Sequence, residues 1–73
     1  MDERHLGPAL RLLRRHRRLV QRELAERAGV TVAMVSAYER GRRLPSVRTL
    51  LLLLAALGAD FGSLHKAIEH IER

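Results

Sequence analysis

There is no cysteine in the 73 residues, so disulfide staples and thiolate metal sites are excluded, and nothing points to an oxidising compartment. The leucine-rich run Leu50 to Leu57 is far too short to span a bilayer. The opening residues, MDERHLG, are charged where a secretory signal would need an apolar run. The chain therefore reads as cytoplasmic, without a membrane partner. Its four histidines, His5, His16, His65 and His70, lack metal-ligand spacing such as i, i+4, and no serine or carboxylate stands placed as their partner. Phosphate-cradling glycine loops are missing as well, because Gly29, Gly41 and Gly58 each fit a helix stop. No enzymatic activity, metal or cofactor is expected. Repeats, low-complexity segments and an interdomain linker are also absent, so residues 1–73 read as one domain. Its core is small enough that oligomerisation would help it.

What the chain has in excess is positive charge. Fourteen Lys and Arg against eight Asp and Glu give +6, and thirteen of the fourteen are arginine. That balance points to a polyanion, and arginine's planar fork suits phosphate and guanine. The plainer reading, a solvated arginine-rich surface, is weakened by the motif that accompanies it.

That motif runs from Gln21 to Gly41. Leu24, Ala25 and Ala28 recur at helical spacing, with Gln21, Arg22, Glu23, Glu26 and Arg27 on the other face, which predicts a short amphipathic helix. Gly29 suits the left-handed position that ends it, and Val30 can pack back as the apolar partner. Thr31 is placed to accept from the amide of Met34 or its neighbour, capping a second helix over Val32 to Arg40 that stops at Gly41. Two helices three residues apart must cross steeply. Ala25 allows close approach, while Val30, Val35 and Tyr38 fill the angle. This is a helix-turn-helix pattern.

Around it, Pro8 suits the first position of a helix running to His16 or Arg17, with Ala9, Leu10 and Leu13 inward. Arg11, Arg14, Arg15 and Arg18 fall at i, i+3, i+4 and i+7, a basic stripe. After Gly41, a loop with Arg42 and Arg43 leads through Pro45 to Ser46, the N-cap of a fourth helix. Its core positions are Leu50, Leu53, Leu54 and Leu57, and Gly58 stops it. Leu52 and Ala55 are left as apolar surface. Asp60 can cap a fifth helix, 60–72, in which Phe61, Leu64, Ile68 and Ile71 form a seam. Phe61 and Leu64 are expected to cover the core. Ile68 and Ile71, with Leu52 nearby, are expected to form a two-fold dimer contact to which Leu64 adds.

From Leu6 to Leu64 the sequence resembles the lambda-repressor-like, Cro or XRE-type family of helix-turn-helix regulators. The residues that carry the likeness are Gly7, Arg14, Gln21, Leu24-Ala25, Ala28-Gly29-Val30-Thr31, Glu39-Arg40-Gly41, Pro45-Ser46, Thr49-Leu50 and Leu57-Gly58. The resemblance implies an all-α, compact five-helix domain with its core in residues 6–58, binding double-stranded DNA as a dimeric transcriptional regulator. It implies that Arg14 reaches Glu39 and that the pair faces the DNA backbone. By the same likeness Gln21, Thr31 and the amides beside it hold a phosphate, Arg40, Arg42 and Arg43 hold the backbone beyond, and Val32, Ala33, Ser36 and Ala37 face the bases. Two positions depart from the family. Arg18 stands where glycine or asparagine is usual and so meets a left-handed backbone, and Val20 replaces the serine or threonine cap of the second helix, a loss of about 1 kcal/mol. The base-facing set departs too, since only Ser36 can hydrogen-bond. The alternative reading is an antitoxin-like or anti-repressor module that uses that apolar face to bind a protein partner.

Overall fold

The computed structural model describes residues 2–73. A 3-10 turn, Glu3–His5, leads directly into α1, Leu6–His16. The helix thus starts two residues before Pro8, which becomes its third residue. A missing amide is still harmless there, because the first four N–H groups of a helix have no intrahelical acceptor. Four further helices follow: α2 Gln21–Ala28, α3 Val32–Glu39, α4 Val47–Ala56 and α5 Phe61–Glu72. The all-α, five-helix architecture is as the sequence implies, and no described helix is long and apolar enough to cross a membrane.

One device ends four of the five helices. After α2, Gly29 sits at φ 73°, the Val30 amide donates to the Ala25 carbonyl at 3.0 Å, and the Gly29 amide donates to Glu26. This 6→1 and 5→2 pair is a Schellman motif. It recurs after α3, where Arg42 donates to Ala37, and after α4, where Ala59 donates to Leu54. It recurs after α1 as well, with Leu19 donating to Arg14, but the left-handed residue there is Arg18 at φ 58°. The basic stripe read from α1 consequently breaks. Arg18 lies beyond the helix, and Arg14 is buried.

Helix starts are capped by short polar side chains. Thr31 accepts from the Met34 amide at 3.1 Å, Ser46 from Thr49 at 3.1 Å and Asp60 from Ser63 at 2.8 Å. Val20 has no oxygen to offer α2. The Glu23 carboxylate reaches back instead and accepts from the Val20 amide at 3.0 Å, the reciprocal half of a capping box.

A single apolar cluster lies between the helices, built on Leu10, Leu24, Val35, Leu53, Leu57 and Ile68. Here α1 packs against α5 and α3, while α2 packs against α4 and α3. Helix α5 corrects the sequence reading. Ile68 is 2% exposed and Leu64 is buried beside Ala67, so both belong to the core of this chain and are unavailable to a second copy. Phe61, expected to cover the core, is 54% exposed. Ile71 is half-buried against the cluster, and only Leu52 of the four expected dimer residues is an exposed apolar side chain. Residues 60–72 thus complete the core instead of standing apart from it.

Candidate nucleic-acid interface

The helix-turn-helix is held in place by one buried carboxylate. Glu39, in the last turn of α3, is 3% exposed and receives side chains from two other helices. Arg14 of α1 donates to it twice, Nε to Oε2 at 2.7 Å and Nη2 to Oε1 at 3.0 Å, while its Nη1 donates to the Leu19 carbonyl at 2.7 Å. Gln21, the first residue of α2, donates from Nε2 to Glu39 Oε1 at 3.1 Å, and the Arg11 guanidinium stands 3.5 Å from the same oxygen. Burial by itself would raise the Glu39 pKa. The hydrogen bonds from Arg14 and Gln21 and the Arg14 charge outweigh it, so the carboxyl lies below its ordinary 4.5. The same carboxylate holds the Arg14 guanidinium above its ordinary value.

This hub fixes three helices at once. The ends of α1 and α3 also meet at Gly7, where an added Cβ would collide with the carbonyl oxygens of Tyr38 and Glu39. Gly7 was legible only as a residue shared with the family. Nothing in local periodicity announces a close backbone approach. Arg14, expected on the DNA backbone, is turned inward, with each guanidinium nitrogen donating within the protein. Its place is as a clamp on Glu39. Gln21 is half-buried and keeps one amide N–H beyond the bond to Glu39.

The outward face of α3 is small and apolar at its start and basic at its end. Val35, Tyr38 and Glu39 face the core, while Val32 and Ala33 are exposed and Ser36 and Ala37 are half-buried. Arg40, Arg42 and Arg43 follow, all exposed, and none is in an ion pair with a described residue. Thr31 is exposed, with its hydroxyl engaged in capping, so the amides of the first turn of α3 point outward from the helix N-terminus. Arg22 in the first turn of α2 and Arg48 in the first turn of α4 are exposed as well.

Two histidines do face carboxylates, contrary to the sequence reading. His5 Nδ1 is 3.2 Å from Glu72, and His65 Nε2 is 3.2 Å from Glu69. Neither pair gathers a third ligand, and no cluster that could hold a metal occurs among the described residues.

Two packed short helices with a capped turn, locked to a helical scaffold and ending in exposed arginines, define a helix-turn-helix DNA-binding domain. A helix-turn-helix family profile matches residues 10–64. The chain is 46% identical over 61 residues to an uncharacterized HTH-type transcriptional regulator, y4dJ, of Sinorhizobium fredii, covering 82% of this chain and 79% of the relative. It is 44% identical over 52 residues to another such regulator from Methanothermobacter thermautotrophicus, covering 67% and 75%. Among solved structures it is similar to the clp gene regulator ClgR of Corynebacterium glutamicum, with TM-score 0.88 and 32% identity over 97% of this chain and 92% of that one. It is also similar to the restriction-modification controller protein C.AhdI of Aeromonas hydrophila, with TM-score 0.81 and 35% identity over 86% and 96%. The chain belongs to the XRE-type helix-turn-helix family of DNA-binding transcriptional regulators.

Proposed function

We propose that this protein regulates transcription as a single helix-turn-helix domain that docks α3 in the major groove of its operator, two copies reading two half-sites. The observation that carries the reading is the outward face of α3 and the loop after it, where Arg40, Arg42 and Arg43 are exposed and paired with no described residue, and where the one carboxylate, Glu39, is buried. Gln21, oriented by Glu39, and the amides after Thr31 hold one phosphate. Arg40, Arg42 and Arg43 hold the backbone beyond. Val32, Ala33, Ser36 and Ala37 meet the bases, so discrimination rests on thymine methyl contacts and on DNA shape more than on bidentate hydrogen bonds.

Selection from random duplexes, followed by salt titration, tests this. Arg43→Ala should weaken every sequence alike and reduce the slope of log K against log salt by about 0.9. Ala33→Gln should instead sharpen preference at one position per half-site, by roughly 1 to 3 kcal/mol, since glutamine can pair with an adenine edge. The exposed Val32, 43% accessible at the tip of α3, favours a second reading as an antitoxin-like or anti-repressor module. A protein partner bound with little salt dependence, and lost in Ala33→Gln while the selected sequences stay unchanged, would replace the DNA reading.

A further inference from the structure

Away from the helix-turn-helix, α1 and α5 enclose a groove of about 610 Å³, closed at one end by the turn after α4. Its floor is apolar, built from Leu12, Leu13, Leu57 and Ala67, and its rim carries His16, Arg17, Lys66 and His70. No carboxylate lines it. The acidic residues of α5 are engaged elsewhere, Glu69 with His65 and Glu72 with His5. Arg17 is already ordered, donating from Nε to the Leu57 carbonyl at 2.6 Å and from Nη2 to Gly58 at 3.2 Å. A cation fixed by the protein meets an anion without the entropy loss of ordering a free side chain.

The volume lies within the range of small-molecule sites, and a mostly apolar lining with a few convergent polar groups is their usual composition. Charge narrows the occupant. A floor of methyl and methylene groups under a rim that carries Arg17 and Lys66 and no carboxylate is complementary to an amphipathic organic anion, and repels a cation of the same shape. We infer that the groove binds a small organic anion with an aliphatic body, its carboxylate meeting Arg17 and Lys66 while its hydrocarbon covers Leu12, Leu13 and Ala67. No residue of α2 or α3 lines the site. It is therefore separate from the DNA-binding face and does not depend on that reading.

The test is an amide chemical-shift titration of the full chain with decanoate and, in parallel, decyltrimethylammonium, both below their micelle concentrations. Decanoate should produce saturable shifts centred on Leu13, Arg17, Lys66 and Ala67, with the cation binding roughly tenfold more weakly. Lys66 is exposed and forms no ion pair with a described residue, so Lys66→Glu should keep a dispersed spectrum while lowering decanoate affinity about tenfold. Equal affinity for the two head groups, shifts that fail to saturate, or an unchanged affinity in Lys66→Glu would overturn the inference. So would the same resonances moving when protein concentration alone is raised, which would make a second copy of this chain the occupant.

Discussion

Arg18 and Glu39 show how differently a single residue can bear on this fold. Arg18 holds φ 58° in a Schellman turn whose three counterparts in the chain place glycine there. An L side chain in the left-handed region costs about 1 to 2 kcal/mol, part of which glycine would lose again through its freer unfolded state. Arg18→Gly should therefore stabilise the domain by about 1 kcal/mol, visible as a rise of roughly 4 to 8 °C in Tm. Glu39 works in the opposite sense. Its folded-state pKa lies below 4.5, so as pH falls the unfolded chain takes up the proton first. The stabilisation is complete above about pH 4.5 and is lost as pH drops towards the lowered native value. Urea midpoints between pH 3 and pH 6 should fall more steeply in the wild type than in Glu39→Gln, where Asp60 and Asp2, also held below their ordinary values, keep part of the slope. At pH 7 that variant, which strands a buried guanidinium, should be about 3 kcal/mol less stable.

Among the elements, α5 is where periodicity alone misassigned roles. Phe61, Leu64, Ile68 and Ile71 share a helical seam, but a seam does not say at which turn the neighbouring helix begins. Packing of α5 along α1 buries Leu64, Ala67 and Ile68 and leaves the first residue, Phe61, past the edge of the contact. Ile68→Asp should consequently abolish the cooperative unfolding transition followed by circular dichroism, because it places an unpaired charge in the core. Phe61→Ser, on the same helix, should change the stability of the monomer by less than about 0.5 kcal/mol. A folded, well-dispersed Ile68→Asp would show that α5 is dispensable to the core. The C-terminal end of α4 is better anchored than sequence suggested, since Arg17 donates to the Leu57 and Gly58 carbonyls from the end of α1.

At the scale of the whole molecule, most of the exposed apolar side chains away from the helix-turn-helix are on α4 and the residues flanking it. Val47, Leu51 and Leu52 are 73%, 49% and 43% exposed, and Phe61 adds to them at the start of α5. A dimer built on α4 would remove Val47, Leu51 and Leu52 from water while leaving the arginines after α3 free for DNA. The expected outcome in sedimentation is a concentration-dependent dimer for the wild type and a folded monomer for the double variant Leu51→Glu, Leu52→Glu. That variant should bind isolated half-sites with unchanged affinity and lose its preference for paired half-sites one turn apart. A wild type that stays monomeric at millimolar concentration would remove this face from consideration.

Local chemistry was enough for everything that repeats within a few residues. The capped starts at Thr31, Ser46 and Asp60 and the glycine stops at 29, 41 and 58 depend on neighbours a few residues away. They could be read directly because a helix satisfies its ends with adjacent side chains. The tertiary structure alone decided which side of α5 is core and which polar groups meet across the chain. Arg14, Gln21 and Glu39 are separated by up to 25 residues, and their convergence needs three helices in place at once. Family likeness supplied the Arg14–Glu39 pairing. That Arg14 also donates to the Leu19 carbonyl, and that burial turns it from a phosphate ligand into a clamp, depended on how closely α1 approaches α3 at Gly7, a distance set by packing across the whole domain.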